Sequence, residues 1–270
     1  MNWRKIFVIS IIVICIICLN LAVYLKFIEK ENNVNREEEA IVDTIALKEN
    51  FDNIFDNRIN YQNYLVSSAI KQDSTKELVY TNYIKQEKIE EKYEINVNIP
   101  KININNTNVD NINEEIENIF YTKVNSILSN VNSQKTVYSV KYKAYINDNI
   151  LSLIISADLK EGLNSQRLII KTYNYNISAN QVLDINQILN YRSLNSKNVQ
   201  SKISETIKES QKTSSAYQEL GYNKYLRDVN DEIYKIENTK VFFLGENKAL
   251  YIIYPYGNSN YTTEMDLVVI

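Results

Sequence analysis

Three acidic side chains towards the C-terminus have a spacing that could support chemistry. Asp231 and Glu232 lie three and four positions after Asp228, and on a helix this spacing places side chains on one face. The surrounding apolar residues recur at helical intervals and predict a helix over residues 222–236. Such a cluster could hold a cation or act in acid–base catalysis. Solvated charge on a helix surface is the commoner role, and it is the interpretation that we favour.

The tyrosine-rich tail ALYIIYPYGNSNYTTEMDLVVI is a second region of interest. Strands are predicted at residues 241–244 and 249–254, with a short turn between them. Pro255 and Gly257 then turn the chain towards a last strand at residues 267–270. The tail is therefore predicted to be the closing hairpin of a sheet.

Exposed tyrosines and asparagines of this hairpin could stack on a glycan or bind a protein partner. These candidate contact residues are Tyr254, Tyr256, Asn258, Asn260 and Tyr261. Tyr251 and Tyr254 should point to opposite faces of their strand, one of them into the core. Tyr173 and Tyr175 share a strand face with Lys171, and the same two interpretations apply to them. The alternative for all of them, an ordinary structural role, is the commoner one.

Composition removes several classes of function. The chain has no histidine, which excludes serine–histidine–acid triads, cysteine–histidine dyads and zinc sites with histidine ligands. Its only tryptophan is Trp3, so a sugar-stacking site would depend on tyrosine or phenylalanine. A net charge of −3 argues against nucleic acid as a partner. We therefore assign no catalytic, cofactor-binding or metal-binding residue.

The N-terminus has the pattern of a membrane anchor. Residues 6–25 carry no charge and have about the length of one bilayer core. Arg4 and Lys5 precede them, which predicts that residues 1–5 are cytoplasmic and that the remainder is extracytoplasmic. A cleaved signal peptide is the alternative, but Ala22 offers only a poor cleavage site. Cys15 and Cys18 lie inside the apolar segment, where two small apolar residues are a better interpretation than a redox pair.

The exterior chain is predicted to have the α+β class, with an antiparallel sheet packed against helices. Residues 26–90 form a stalk and a membrane-proximal region, with a helix from about residue 37 to residue 58. A strand covers residues 93–99 and meets Pro100, which ends it or marks a sheet edge.

Helices and strands alternate in blocks over the rest of the chain. An apolar stripe from Val109 to Val131 predicts a long helix, capped by Asn108 or Asp110. A meander of three strands follows, and a further helix is predicted at about residues 193–212. The three strands are predicted at residues 137–146, 149–159 and 166–177.

Four stretches of the sequence resemble a known family. They are YEINVNIPKININN with VDNINEEIENIF, YKAYINDNILSLIISADL, YNYNISANQVLDINQIL and the tail KVFFLGENKALYIIYPYGNSNYTTEMDLVVI. They resemble the extracytoplasmic domain shared by the anti-sigma factor RsiV and the N-terminal region of the peptidoglycan deacetylase PdaC. The resemblance implies such a domain over residues 91–270. Only five residues precede the predicted anchor, so we expect no sigma factor to be bound in cis.

These observations lead to three hypotheses of function. The first is a non-catalytic, membrane-anchored module that binds or senses a cell-envelope ligand. The resemblance implies that this ligand is a lysozyme-type protein or peptidoglycan. The second is a carboxylate-dependent cell-wall hydrolase, which needs two acidic residues in a groove. The third is a structural subunit of a membrane complex.

Overall fold

The computed structural model describes residues 43–62, 70–130 and 134–270. The chain separates into two compact units, Met1–Leu47 and Lys48–Ile270. The predicted cytoplasmic residues 1–5, the predicted membrane span 6–25 and the stalk to residue 42 lie outside the described residues. Within the described ranges, no helix is long and apolar enough to cross a membrane.

A seven-stranded sheet organises the larger unit. Its outer strand β2 pairs with β3, and the order continues through β4, β5 and β6 to β7. All of these neighbours are antiparallel except β3 and β4, which are parallel, and β1 also pairs in parallel with the end of β4. The strands are β1 (Ile59–Gln62), β2 (Val79–Ile89), β3 (Tyr93–Ile102), β4 (Thr136–Asn147), β5 (Ile150–Glu161), β6 (Arg167–Asn176) and β7 (Gln181–Val182).

A nearly continuous helix connects β3 to β4 and covers one face of this sheet. It consists of α2 (Thr107–Ile116), a π-helical turn (Glu117–Tyr121) and α3 (Thr122–Ser129). Its apolar stripe is buried against the face of β4 and β5 that carries the odd-numbered residues of β5. Parallel strands need a crossover of this kind, because a tight turn cannot join them.

A second, three-stranded antiparallel sheet lies on the opposite side. Its order is β10 (Met265–Val269), β9 (Leu250–Pro255) and β8 (Phe242–Leu244). One face of it packs on α4 (Ile185–Tyr191) and α5 (Ser196–Glu219) in a separate hydrophobic cluster. The larger unit therefore has two cores, one on each side of the seven-stranded sheet.

Polar side chains of the large sheet form hydrogen bonds with the backbone on the free edge of β8. Thr172 Oγ1 accepts a hydrogen bond from the Phe242 N–H (3.0 Å), and Asn174 Nδ2 donates to the Phe242 carbonyl (2.8 Å). Ser152 Oγ accepts from the Leu244 N–H at 3.1 Å and donates to Asn174 Oδ1 at 2.6 Å. Ser152 and Asn174 are buried. We call Ser152, Thr172 and Asn174 the polar ladder, because they replace a neighbouring strand.

Most of the predicted fold is confirmed. The class is α+β, and its mostly antiparallel sheet packs against helices. The long helix, the three-strand meander and the closing hairpin lie where the sequence placed them. The long helix is capped by Asn106, whose side chain accepts from the Asn108 N–H, so the predicted cap was wrong by two to four positions. Pro100 lies inside β3, beyond the last residue that pairs with β4, as its edge alternative predicted.

Within the described residues, the helix predicted at about residues 37–58 is much shorter than expected. In the described part of residues 37–58, α1 spans only Thr44–Glu49, and a 3₁₀ turn follows at Phe51–Asn53. Phe51 is buried among the rings of Phe243 and Tyr251. Asn57 has a left-handed backbone (φ 58°) and bonds with the Tyr142 backbone through its own backbone and side chain. Pairing with β4 therefore overrides helical propensity here.

The predicted helix over residues 222–236 is absent. After α5 the chain runs in irregular structure until two 3₁₀ turns, Glu232–Tyr234 and Ile236–Asn238. Gly221 ends α5 with a positive φ of 84°, and the Tyr222 N–H bonds back to the Tyr217 carbonyl. A glycine just after a helix is a stop signal. Gly221 therefore indicated the end of α5, and we overlooked it.

Removing one member of the polar ladder should destabilise the fold. Asn174→Ala leaves the buried Phe242 carbonyl without its donor and the Ser152 hydroxyl without its acceptor, so we expect a loss of about 1–3 kcal/mol in the free energy of unfolding. Urea unfolding of the full-length protein, followed by circular dichroism, measures it. Asn190→Ala is the matched control, because Asn190 is exposed on α4 and should change stability by less than about 0.5 kcal/mol. Equal losses in both variants would contradict a bonding role for the ladder.

Candidate functional site

The turn between β9 and β10 is fixed to the large sheet. We call residues 256–264 the tip. The amide of Asn258 pairs with the Ile170 backbone of β6, accepting from its N–H and donating to its carbonyl, both at 2.9 Å. A Cβ on Gly257 would lie 2.1 Å from the Leu168 carbonyl oxygen, so only glycine permits this approach. The start of the tip is therefore part of the folded body.

A buried ionic cluster lies beneath the tip. The guanidinium of Arg227 donates to Asp266 Oδ2 at 3.1 Å and to Glu264 Oε2 at 2.7 Å. The other oxygen of Glu264 accepts from the Tyr225 N–H at 3.0 Å. The side chains of Arg227 and Asp266 are only 7% and 6% exposed. Because a buried charge without its partner is costly, this cluster fixes the 222–231 segment to β10.

Aromatic rings surround this cluster. The Tyr225 ring stacks on the Tyr256 ring with 4.0 Å between centroids, and the Arg227 guanidinium lies 4.8 Å from the centre of the Tyr256 ring. The Tyr256 hydroxyl donates to Asp266 and lies 2.7 Å from the Tyr234 hydroxyl. Stacking, cation–π attraction and hydrogen bonding thus act together on Tyr256.

Burial and the carboxylates set the pKa values in this cluster. Burial, followed by the charge of Asp266, raises the pKa of Tyr256 well above its ordinary value. Burial alone lowers the pKa of Arg227, but its bonds to Glu264 and Asp266 outweigh that effect and raise it overall. Burial also raises the pKa of Tyr254 to about 12. Tyr256 and Arg227 therefore keep their protons throughout the physiological range.

A surface groove opens between the tip and the segment that follows α5. We call it the tip groove; its volume is about 520 Å³. Its lining is mostly polar, and Tyr261 and Leu226 are more than half exposed at its edge. The Arg167 guanidinium lies 5.3 Å from the Tyr261 ring centre. The lining residues are Ser165, Gln166, Gln218, Asn223, Lys224, Tyr225, Leu226, Asn260, Tyr261, Thr262, Thr263 and Glu264.

The structure divides the predicted contact residues into two groups. Tyr254 and Tyr256 are buried, at 7% and 3% exposure, so the expectation that Tyr256 is exposed at the tip was wrong. Tyr256 is buried because Asp266 and the Tyr225 ring bind it from two sides. Asn258 is half-buried and its amide is used by β6. Asn260 and Tyr261 line the tip groove and remain accessible.

The other predicted candidates have local structural roles. Asp228 accepts hydrogen bonds from Asn230, Asp231 caps the 3₁₀ turn at Ile233, and Glu232 pairs with Lys235. They share no helix face, because the predicted helix is absent.

The strand pair Tyr173 and Tyr175 does face one side, as predicted, but that side is buried against α2 and the π-helical turn. Lys171 lies beside them and pairs with Glu115 at 3.3 Å. Neither tyrosine is therefore available to a ligand from solvent.

A second groove, which the sequence did not single out, lies beside the π-helical turn. Asp110, Glu114 and Glu117 line it at helical spacing, together with Tyr83 and Tyr121. We call it the acidic groove; its volume is about 410 Å³. The two tyrosine rings meet edge to face at 4.9 Å. Among the described residues, no group of three acidic or cysteine side chains is arranged to hold a metal ion.

The sequence also missed the wall of the tip groove that follows α5. Gln218, Asn223, Lys224 and Leu226 line the groove, whereas we predicted a helix from residue 222 onward. The signal that could have located this wall is Gly221, which ends α5 and returns the chain towards the tip.

Comparison with known proteins gives a likeness in fold. Two solved structures of DUF3298 family proteins are similar, one from Pseudomonas aeruginosa and one from Bacteroides fragilis. They have 11% and 12% sequence identity, TM-scores of 0.41 and 0.40, and cover 67% and 66% of this chain and 82% and 80% of their own. No family model and no curated protein matches. The resemblance to RsiV and PdaC stays a prediction.

Removing the Tyr256 hydroxyl should destabilise the protein without opening the cluster. Tyr256→Phe keeps the ring stack but loses the bonds to Asp266 and Tyr234. We expect a loss of about 1–3 kcal/mol in the free energy of unfolding at neutral pH. Tyr222→Phe, on an exposed ring, should change little. Urea unfolding measures both, and an unchanged Tyr256→Phe midpoint would contradict the role of this hydroxyl.

The same variant should reveal the pKa shift. Because the folded pKa of Tyr256 is raised, the native state keeps its proton when the unfolded state loses it, above about pH 10. The stability from this group is complete below pH 10 and falls as the pH rises further. The stability difference between wild type and Tyr256→Phe should therefore shrink between about pH 9 and pH 11. A constant difference over that range would rule out the shift.

Proposed function

We propose that the protein is a membrane-anchored, non-catalytic module that binds a ligand at the cell envelope through the tip groove. The observation that carries this proposal is the accessible pair of Tyr261 and Leu226 on a groove whose lining is otherwise mostly polar. An exposed aromatic ring beside amides and hydroxyls suits the faces and hydroxyl groups of a glycan, or a polar protein surface.

The rigid support of the groove favours binding. One wall is the segment after α5, where the Tyr225 N–H and the Arg227 guanidinium both bond to Glu264 at the end of the tip. The other is the tip, which Asn258 fixes to β6. A site held in its binding shape loses little conformational entropy when a ligand arrives. This preorganisation supports recognition by the tip groove.

More exposed aromatic surface extends the groove. Tyr217 and Tyr222 meet edge to face at 5.7 Å, and Lys224 lies 5.6 Å from the Tyr217 ring centre. Tyr217, Leu220 and Tyr222 are 44–74% exposed. Clustered exposed apolar side chains with a polar rim are typical of interaction sites. The proposed contact surface therefore continues from the groove to the end of α5.

The location is proposed from the sequence. The uncharged residues 6–25, with Arg4 and Lys5 before them, support a single-pass anchor with a cytoplasmic N-terminus. The ligand would then be an envelope component, either peptidoglycan or a lysozyme-type protein, as the resemblance suggests. The net charge of −3 favours neither DNA nor RNA as a partner.

Binding should depend on the accessible ring of the groove. The full-length protein in detergent is incubated with purified peptidoglycan or with a lysozyme-type protein, and retention is measured by sedimentation or surface plasmon resonance. Tyr261→Ala should raise the dissociation constant on the order of tenfold, and adding Leu226→Ala should raise it further. Far-ultraviolet circular dichroism should be unchanged, because both side chains are exposed.

Tyr191→Ala is the matched control for this experiment. Tyr191 is also partly exposed (37%) but bonds to Asp148, away from the groove, so its removal should not change retention. Absence of binding to either ligand class would overturn the proposed function. Binding that survives Tyr261→Ala with Leu226→Ala would place the contact elsewhere.

The acidic groove supports a second candidate, the carboxylate-dependent hydrolase. Asp110, Glu114 and Glu117 supply more than one carboxylate to a single groove, as glycoside hydrolysis requires. All three come from one helical segment, whereas hydrolases place two carboxylates on either side of the bond to be cleaved. Release of soluble fragments from peptidoglycan by the wild type, abolished in Glu114→Gln, would favour the hydrolase.

A structural subunit of a membrane complex would instead co-purify with membrane partners through residues 1–58.

A further inference from the structure

We propose that β2 pairs with β2 of a second copy of this chain. The two strands run antiparallel about a two-fold axis that passes beside Gln86 and joins the two large sheets into one. This pairing buries a strand edge that lies apart from the tip groove, on which the proposed function depends, although Tyr83 of β2 also lines the acidic groove.

No described residue outside the hairpin pairs with the outer edge of β2. β2 spans Val79–Ile89 and is the terminal strand of the seven-stranded sheet. Within the described ranges, the backbone of β2 forms hydrogen bonds only with β3 and within the hairpin that joins the two strands. Ile84 is 68% exposed and Ile89 is 39% exposed. An open strand of this length is a template for another strand.

Two other strand edges, those of β6 and β8, are covered. The first half of β6 is covered by the tip through Asn258 and through a bond from the Leu168 N–H to the Thr262 carbonyl. The free side of β8 is met by the polar ladder. β2 has neither of these devices among the described residues, so its edge differs from those of β6 and β8.

The sequence of β2 is complementary to itself in this one register. With Gln86 opposite Gln86, residue 85 of one copy faces residue 87 of the other, so each Lys85 lies opposite a Glu87. Both side chains already pair within one chain, on the same face of the strand. Across the two-fold axis they form an alternating set of two lysines and two glutamates, and opposite charges directly across a strand pair are favourable.

The apolar positions match in the same register. Tyr83 of one copy faces Ile89 of the other, and the exposed Ile84 faces the aliphatic stem of Lys88. The axis lies perpendicular to the sheet, so residues that share a face in one copy keep that face in the dimer. Residues 83–89 of each strand are thus paired along their whole length.

Neighbouring registers are unfavourable or weaker. An axis at residue 85 places Lys85 opposite Lys85, and an axis at residue 87 places Glu87 opposite Glu87; like charges directly opposite destabilise a strand pair. An axis at residue 84 places Lys85 opposite Tyr83 and leaves the charges unmatched. The bulge between Thr81 and Tyr83 ends regular pairing on one side. Charge and geometry together therefore favour a single alignment of the two β2 strands.

A charge-exchange experiment on the full-length protein tests the proposal. Lys85→Glu gives a chain that is acidic at both positions 85 and 87, and Glu87→Lys gives a chain that is basic at both, so each variant repels its own copy. Mixed in equal amounts, the two variants restore an opposite charge at every pair of positions 85 and 87. Sedimentation velocity in detergent and co-purification through two different tags measure self-association and mixed association.

The expected results are specific. Wild type should be dimeric, each single variant should dissociate at least roughly tenfold more readily, and the mixture should form the mixed dimer. Lys202→Glu and Glu209→Lys are matched controls, because both are exposed on α5 with partners one helical turn away; they should dimerise as wild type does. A monomeric wild type would overturn the proposal. Single variants that dimerise as the controls do, or a mixture that stays monomeric, would overturn the register.

Discussion

The fold depends on the closure of strand edges by side-chain amides and hydroxyls. β8 is only three residues long and has β9 on one side; on the other, Asn174, Ser152 and Thr172 hold its backbone. Without these bonds, buried peptide groups of β8 would be unpaired, at a cost comparable to that of a lost hydrogen bond at each group. The second sheet is thus joined to the first by hydrogen bonds as well as by apolar contact, and this junction orients the hairpin that carries the tip.

The same device recurs at other strand edges and ends. Asn258 pairs with both backbone groups of Ile170, and Asn113 on α2 pairs with both backbone groups of Ile102. A primary amide presents a donor and an acceptor with the spacing of a peptide group, so one side chain can replace one residue of a strand. These asparagines fix α2 to the end of β3 and the tip to β6. Single side chains thus hold separate elements of the fold together.

Periodicity predicted the elements whose burial is one-sided. The stripe from Val109 onward and the alternation in β4 to β6 each report a single buried face, which is why the long helix and the meander were found. The parallel partner of β4 was not foreseen, because alternation states which face is buried and not which strand lies alongside. The burial of Tyr256 was also missed. Its hydroxyl donates a hydrogen bond to Asp266, and its ring stacks on Tyr225, which lies in the irregular segment that we predicted as helix.

The tip groove and the open edge of β2 involve different elements, so occupation of one does not require the other. The groove is formed by the tip, the end of α5 and the Arg227 segment, whereas the edge belongs to the β2–β3 hairpin. Two copies joined through β2 would carry two grooves on one assembly. If the ligand is a polymer, binding at one groove would make binding at the second groove an intramolecular event. The overall affinity would then rise through effective concentration rather than through new contacts. Weak recognition by a single exposed tyrosine would in that case suffice for retention at a surface that presents many copies of the ligand.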